Sequence, residues 1–171
     1  MRRLSCDATG STMEISVRPA KKQELPALAK LFSEVLKRLP YYNALAKRYE
    51  LRKYAPNELV QKQTKDRYSE LAALDESDRI VGFCFNHFDD FTIWIDWFGV
   101  DSSARQKGIG MTILKSTFDS ARKRGAHKVW CDSRASNEPS KNLLRKAGFR
   151  DIAEIKDHWY GQDFILWERF V

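Results

Sequence analysis

The run Val100-Asp101-Ser102-Ser103-Ala104-Arg105-Gln106-Lys107-Gly108-Ile109-Gly110-Met111 constrains this chain more than any other. An apolar, aromatic segment, Phe91 to Val100, leads into it. An amphipathic segment, Gly108 to Lys123, leads out, with Ile109, Ile113, Leu114, Thr117, Phe118 and Ala121 on one face. Strand, Arg-x-x-Gly-x-Gly loop and helix in that order bring unpaired main-chain N–H groups to a helix N-terminus. Such a turn attracts a pyrophosphate, because free amides and the helix dipole both favour negative charge. Arg105 and Lys107 add positive charge, and Gly108 and Gly110 leave room for oxygens to approach the backbone. Taken alone, the same turn is also what an ordinary β–α connection with closely packed glycines looks like.

The rest of the chain supplies the context. Glu14 to Arg18 alternates as a strand closed by Pro19, and Lys22 to Leu39 carries a helical apolar face of Leu25, Leu28, Ala29, Phe32, Val35, Leu36 and Leu39. Tyr41 to Lys53 has a weaker helical pattern, and Pro56-Asn57 opens a short helix to about Arg67. Glu70 to Leu74, Ile80 to His87 and Phe91 to Val100 read as three strands joined by turns at Asp75–Asp78 and Asp89-Asp90. After the helix to Lys123, His127 to Cys131 is a strand and Asn137 to Lys146 a short helix, stopped by Gly148. Phe149 to Lys156 and Asp163 to Arg169 are expected as a final antiparallel pair. This order predicts a mixed α/β fold with a largely antiparallel sheet and flanking helices, not the regular alternation of a dinucleotide-binding domain.

A chain of 171 residues suffices for one domain with a full core. The expected division is a flexible leader over 1–12 and a single domain over 13–171. The formal net charge of +7 favours acidic partners such as phosphorylated cofactors, yet no run of like charge resembles a nucleic-acid tail, and no nucleic-acid partner is expected. Cys6, Cys84 and Cys131 are odd in number and far apart, and no His pair sits at ligand spacing. Neither a disulfide framework nor a metal site is expected, which fits a cytoplasmic location, and no segment has the length and apolarity of a membrane span.

A second segment narrows the reading. Trp130-Cys131-Asp132-Ser133-Arg134-Ala135-Ser136-Asn137 is followed by Ser140, Leu143-Leu144, Lys146 and Ala147-Gly148-Phe149-Arg150. With Val100 to Gly110, it resembles the GNAT N-acetyltransferase superfamily over about residues 92–150. The Trp130 to Asn137 run is similar to the ribosomal-protein alanine N-acetyltransferases. The resemblance implies a GNAT-like sheet with a splayed strand pair and acetyl-CoA as co-substrate. It implies that amides of Gln106, Lys107, Gly108, Ile109, Gly110 and Met111, beside Arg105, hold the pyrophosphate. The pantetheine arm would pair with the main chain at Phe98, Gly99 and Val100, and Asn137 would reach that arm. The acceptor would be a primary amine of a small molecule or a peptide N-terminus. The oligomeric state is left open, a homodimer included.

Acetyl transfer to an amine needs a base for the ammonium proton, donors for the developing oxyanion and an acid for the leaving thiolate. The family's usual tyrosine acid falls on Leu144 here, which cannot donate a proton. That departure keeps a non-catalytic acyl-CoA-binding module as the alternative. Tyr160, in His158-Trp159-Tyr160-Gly161, is the candidate replacement acid. Asp132 and Asp96 are the candidate bases, Asp96 because it interrupts the apolar run Ile93-Trp94-Ile95-Asp96-Trp97-Phe98. The plain alternatives are the polar face of a half-solvated strand for Asp96 and a loop-start carboxylate bonded to backbone amides for Asp132. The aromatic and basic content of Tyr41 to Arg67 suggests an acceptor with acidic or aromatic parts.

Overall fold

The computed structural model describes residues 14–171, so the leader expected over 1–12 lies outside the described residues, as does Cys6. Seven strands form one sheet in the order β1-β2-β3-β4-β5-β7-β6. They are β1 (Ser16–Pro19), β2 (Glu70–Leu74), β3 (Ile80–Asp89), β4 (Thr92–Val100), β5 (Lys128–Arg134), β6 (Arg150–Ile155) and β7 (Phe164–Phe170). Neighbours run antiparallel except β4 and β5, which are parallel. The helices α1 (Leu25–Arg38), α2 (Ala44–Lys53), α3 (Pro56–Lys65), α4 (Ile109–Lys123) and α5 (Glu138–Lys146) flank it.

Each face of the sheet buries one apolar cluster. On one side, Ile109, Ile113, Leu114 and Phe118 of α4 and Leu144 of α5 pack on Ile93, Ile95, Val129 and Cys131. On the other, Leu25, Leu28, Phe32 and Leu36 of α1 and Leu59 of α3 cover Ala72, Leu74, Phe83 and Phe85. Phe32 is the hub of this second cluster. Its ring meets those of Tyr54, Phe83, Phe85 and Trp97 at centroid distances between 5.1 and 5.8 Å. Such aromatic pairs contribute about 0.5–1.5 kcal/mol each beyond their buried area. They also fix Tyr54 and Trp97, which face the cleft described below.

Two elements depart from their expected bounds for identifiable reasons. Pro19 does not close β1 but pairs with Leu71 at its end, since a missing N–H is tolerated on an edge strand. β5 runs past Cys131 to Arg134 because β7 pairs with it along its whole length.

That extension creates the feature on which the site depends. β4 and β5 pair from Thr92↔Lys128 to Ile95↔Cys131 and no further. In β4, Phe85 opposes Trp97 while Asn86 opposes Ile95, leaving Asp96 as the extra residue of a bulge. A bulge bends its strand and increases its twist. Beyond it, β4 stays with β3 and β5 stays with β7, so the two parallel strands fork.

Candidate active site

A cleft of about 1110 Å³ opens at the fork. One half is bounded by the glycine turn. Gln106 and Gly108 both have positive φ, at 66° and 74°, and Gly108 is the residue from which α4 starts. A Cβ at Gly108 would meet nothing within 4 Å, so the glycine serves the left-handed backbone and leaves its surroundings open. The first intrahelical bond of α4 is that of Thr112 N–H to the Gly108 carbonyl, at 3.1 Å, so the preceding N–H groups of that turn are orphans. Gly110 plays a different part. A Cβ there would lie 2.9 Å from Leu143 Cδ2, so this glycine lets α4 approach α5.

Phe98, Gly99, Val100, Arg105, Gln106, Gly108, Ile109, Gly110, Met111 and Asn137 all line the cleft, whereas Lys107 is exposed outside it. Past Ile95, β4 has no partner on its β5 side, so its main-chain groups there are free to take an added strand. Asn137 caps α5, its Oδ1 accepting from Ser140 N–H at 3.2 Å. Arg38, from α1, donates to Ser102 Oγ at 2.5 Å and brings another cation to this end.

The other half of the cleft is aromatic and acidic. Asp96 and Asp132 are the first residues beyond the last rung joining β4 to β5, so the fork brings the two candidate bases to its apex. Asp132 Oδ2 accepts from the Trp159 indole at 2.9 Å. Burial raises the Asp132 carboxyl to about 6, against the Trp159 bond and the nearby His158, which lower it; the charges of Asp96 and Glu50 push it further up. Asp96 Oδ2 lies 3.2 Å from His87 Nδ1, a partner that sequence reasoning did not find for this histidine. Tyr160, at positive φ, donates its hydroxyl to Glu50 Oε1 at 2.6 Å. Burial and that bond raise the Tyr160 phenol above its ordinary range, so it holds its proton tightly.

Glu50 is the residue that sequence reasoning missed. It is 7% exposed and accepts from both Tyr160 and the Trp97 indole, the latter at 2.8 Å. Its local run, Arg48-Tyr49-Glu50-Leu51-Arg52-Lys53, reads as a solvated charged helix. A signal did exist. Ala46, Glu50 and Tyr54 fall on one stripe at helical spacing, and all three are buried. Leu144, where the resemblance leads one to look for a tyrosine, is fully buried in the α4 cluster, and its neighbour Leu143 lines the cleft instead. The tryptophans divide by face. Trp94 and Trp97 line the cleft, Trp130 packs edge-on to Trp94 at 4.8 Å, and Trp167 is core.

Comparison with known proteins gives a consistent pattern. Residues 32–149 match the model of the Acetyltransferase (GNAT) family. A mycothiol acetyltransferase of Clavibacter sepedonicus is 33% identical over 88 residues, which is 52% of this chain and 29% of that protein. Among solved structures, PaiA N-acetyltransferase from Thermoplasma acidophilum, in complex with coenzyme A, superposes with a TM-score of 0.77. It is 17% identical, over 93% of this chain and 100% of the other. Ribosomal-protein-alanine N-acetyltransferase from Brucella melitensis gives a TM-score of 0.72 at 22% identity, over 91% and 99%. At these identities the two structural likenesses are likenesses of fold.

Proposed function

The chain belongs to the acetyltransferase (GNAT) family, and from that premise we propose that it transfers an acetyl group from acetyl-CoA to a primary amine of a small molecule or a peptide N-terminus. The observation that carries this reading is the fork. An unpaired β4 edge beside a turn of free amides meets two carboxylates at its apex. The residues fit the co-substrate. Orphan N–H groups from Ile109 to Met111, with Arg105 and Arg38 nearby, suit a diphosphate, and the open edge at Phe98 to Val100 suits amide groups of the pantetheine arm.

Acetyl-CoA supplies a thioester: a C–N bond forms to the amine, the C–S bond breaks, one ammonium proton goes to a base and another to the departing thiolate. Asp132 is poised for the first task, because a carboxyl titrating at about 6 is ionised near neutrality yet retains affinity for a proton. Asp96 and its His87 partner offer a second route for that proton. Tyr160 is the proton donor we assign to the thiolate: its hydroxyl proton turns from Glu50 to the sulfur, and the second amine proton replaces it, so the phenol is unchanged at the end. The test is calorimetry with coenzyme A together with thiol release from acetyl-CoA over an amine panel. Heat of binding and release dependent on amine are expected; neither one appearing from folded protein would overturn the assignment.

The buried Leu144 gives one specific ground for a second reading, an acyl-CoA-binding module that does not turn over. Tight binding of acetyl-CoA with no release on any amine supports it. Turnover abolished by Asp132→Asn excludes it.

A further inference from the structure

Several acidic groups outside the cleft are neutralised by a neighbouring lysine or arginine. Glu24 meets Arg18 at 2.7 Å, Glu168 lies between Arg150 and Lys128 at 2.5 and 3.5 Å, and Asp66 pairs with Arg124. The cleft is different. Glu50 and Asp132 take part in none of the ion pairs among the described residues, and Asp96 meets only the His87 imidazole. Their partners are otherwise neutral donors: Trp97, Tyr160 and Trp159.

Lysine or arginine is not scarce, since the chain has 30 of them against 23 acids. Nor are cations far away. Lys53 lies over the Tyr54 ring, at 5.4 Å from its centroid, and Arg134 donates to the main-chain carbonyls of Tyr41 and Asp163. His158, whose ring lies tilted against that of Trp159 at 4.2 Å between centroids, is the basic neighbour of Asp132. Desolvated carboxylates without a counterion are costly, and a cleft lined by them concentrates cations.

A second observation points the same way. Tyr54 is 1% exposed, and its hydroxyl is buried without a hydrogen-bond partner although the residue lines this cleft. Asp96 and Glu50 are its charged neighbours, with Asp96 near enough for the phenol proton to be directed at its carboxylate. The oxygen of a phenol so placed is left as an acceptor for a donor that enters.

From this juxtaposition we infer that the acceptor is an aliphatic amine carrying a second positive charge, a diamine or longer polyamine. Its reacting nitrogen faces Asp96 and Asp132, and its second ammonium is held toward Glu50 and Tyr54. The rings of Trp97 and Tyr160 flank the methylene chain and offer cation–π faces to its ends. Lys53 of α2 also lines the cleft, over the Tyr54 ring, but Glu50 is the member of α2 bonded into the wall, through Trp97 and Tyr160, and its charge runs against what the basic composition of Tyr41 to Arg67 suggests. The inference rests on the acetyl-transfer reading for the reaction but not for the binding.

The experiment pairs calorimetry of the full chain with thiol release from acetyl-CoA, using 1,4-diaminobutane, butylamine and 4-aminobutyrate, with a neutral alanine-led peptide added to the turnover series. The diamine is expected to bind, and to turn over, at least about tenfold better than butylamine, with 4-aminobutyrate the poorest. Glu50→Gln, whose amide oxygen can still accept from Trp97 while its NH2 donates to the Tyr160 hydroxyl oxygen, is expected to cut that advantage below about threefold. If that variant fails to fold by circular dichroism, the wild-type series decides alone. Equal or better binding of butylamine or 4-aminobutyrate, faster turnover of the peptide, or no binding of any amine would overturn the inference. A clear binding preference for the diamine with no thiol release on any acceptor would uphold it and remove the acetyl-transfer reading instead.

Discussion

Asp132 ties the geometry most directly to a measurable quantity. In the proposed reaction its ionised form is the base, so kcat/KM is expected to rise with pH through about 6 and level off above, and Asp132→Asn should lose most of the rate together with that limb. The stability sign is opposite. A carboxyl raised from 3.8 to about 6 holds its proton more tightly when folded, so its contribution to stability falls as pH rises through that window. Glu70 follows the same rule away from the cleft. It is fully buried, with Oε1 unpartnered and Oε2 accepting from Ser69, and burial raises it from 4.5 to about 7. Thermal melts should show Glu70→Gln gaining on the wild type as pH is taken from about 5 to about 8. At this scale the sequence was partly legible. An aspartate inside an aromatic strand stands out, so Asp96 could be named, and Asp132 could be named through the resemblance of the run Trp130 to Asn137. Glu50 hides in a charged helical run, because its partners Trp97 and Tyr160 come from remote parts of the chain.

Among the elements, β4 is held to a narrow tolerance. A Cβ at Gly99 would lie 2.8 Å from two atoms of the Phe83 ring and 3.3 Å from Val35 Cγ1, on the opposite side from α4. Gly99→Ala should therefore destabilise the fold by about 1–3 kcal/mol in denaturant titration, as overpacking of a close-packed core does. A smaller loss is expected from Gly110→Ala, since the atom it meets is the movable end of Leu143. Periodicity and turn residues together located the strands and the α-helices within a few residues, although β2 is buried throughout and β6 is largely exposed. These signals could not give the strand bounds at the fork. β5 outlasts the apolar run that announces it, since its last residues are held by pairing with β7, and pairing across the sheet has no local signature. The bulge at Asp96 is equally silent in sequence, being a matter of register between β3 and β4.

The whole molecule divides its charge along one cleft. Arg38 and Arg105 line the end at the glycine turn, and Glu50, Asp96 and Asp132 line the other, where Lys53 over the Tyr54 ring is the cation among them. Coenzyme A should therefore raise the melting temperature, by about 2.7 kcal/mol of added stability at a hundredfold excess over its Kd, with a smaller rise in Arg105→Gln. The mixed sheet was legible from element order, whereas the charge division was not, since it depends on which side chains the fork turns inward. The fork also bears on the order of events. Cys131 stands on its last rung, but its thiol is buried against α4 and pushed well above its usual range, so among the described residues no activated thiol waits to carry the acyl group. In the proposed reaction donor and acceptor then occupy the protein together, and initial rates measured against both should give intersecting double-reciprocal lines; parallel lines, the mark of a ping-pong cycle, would mean that the acyl group rests on the protein after all.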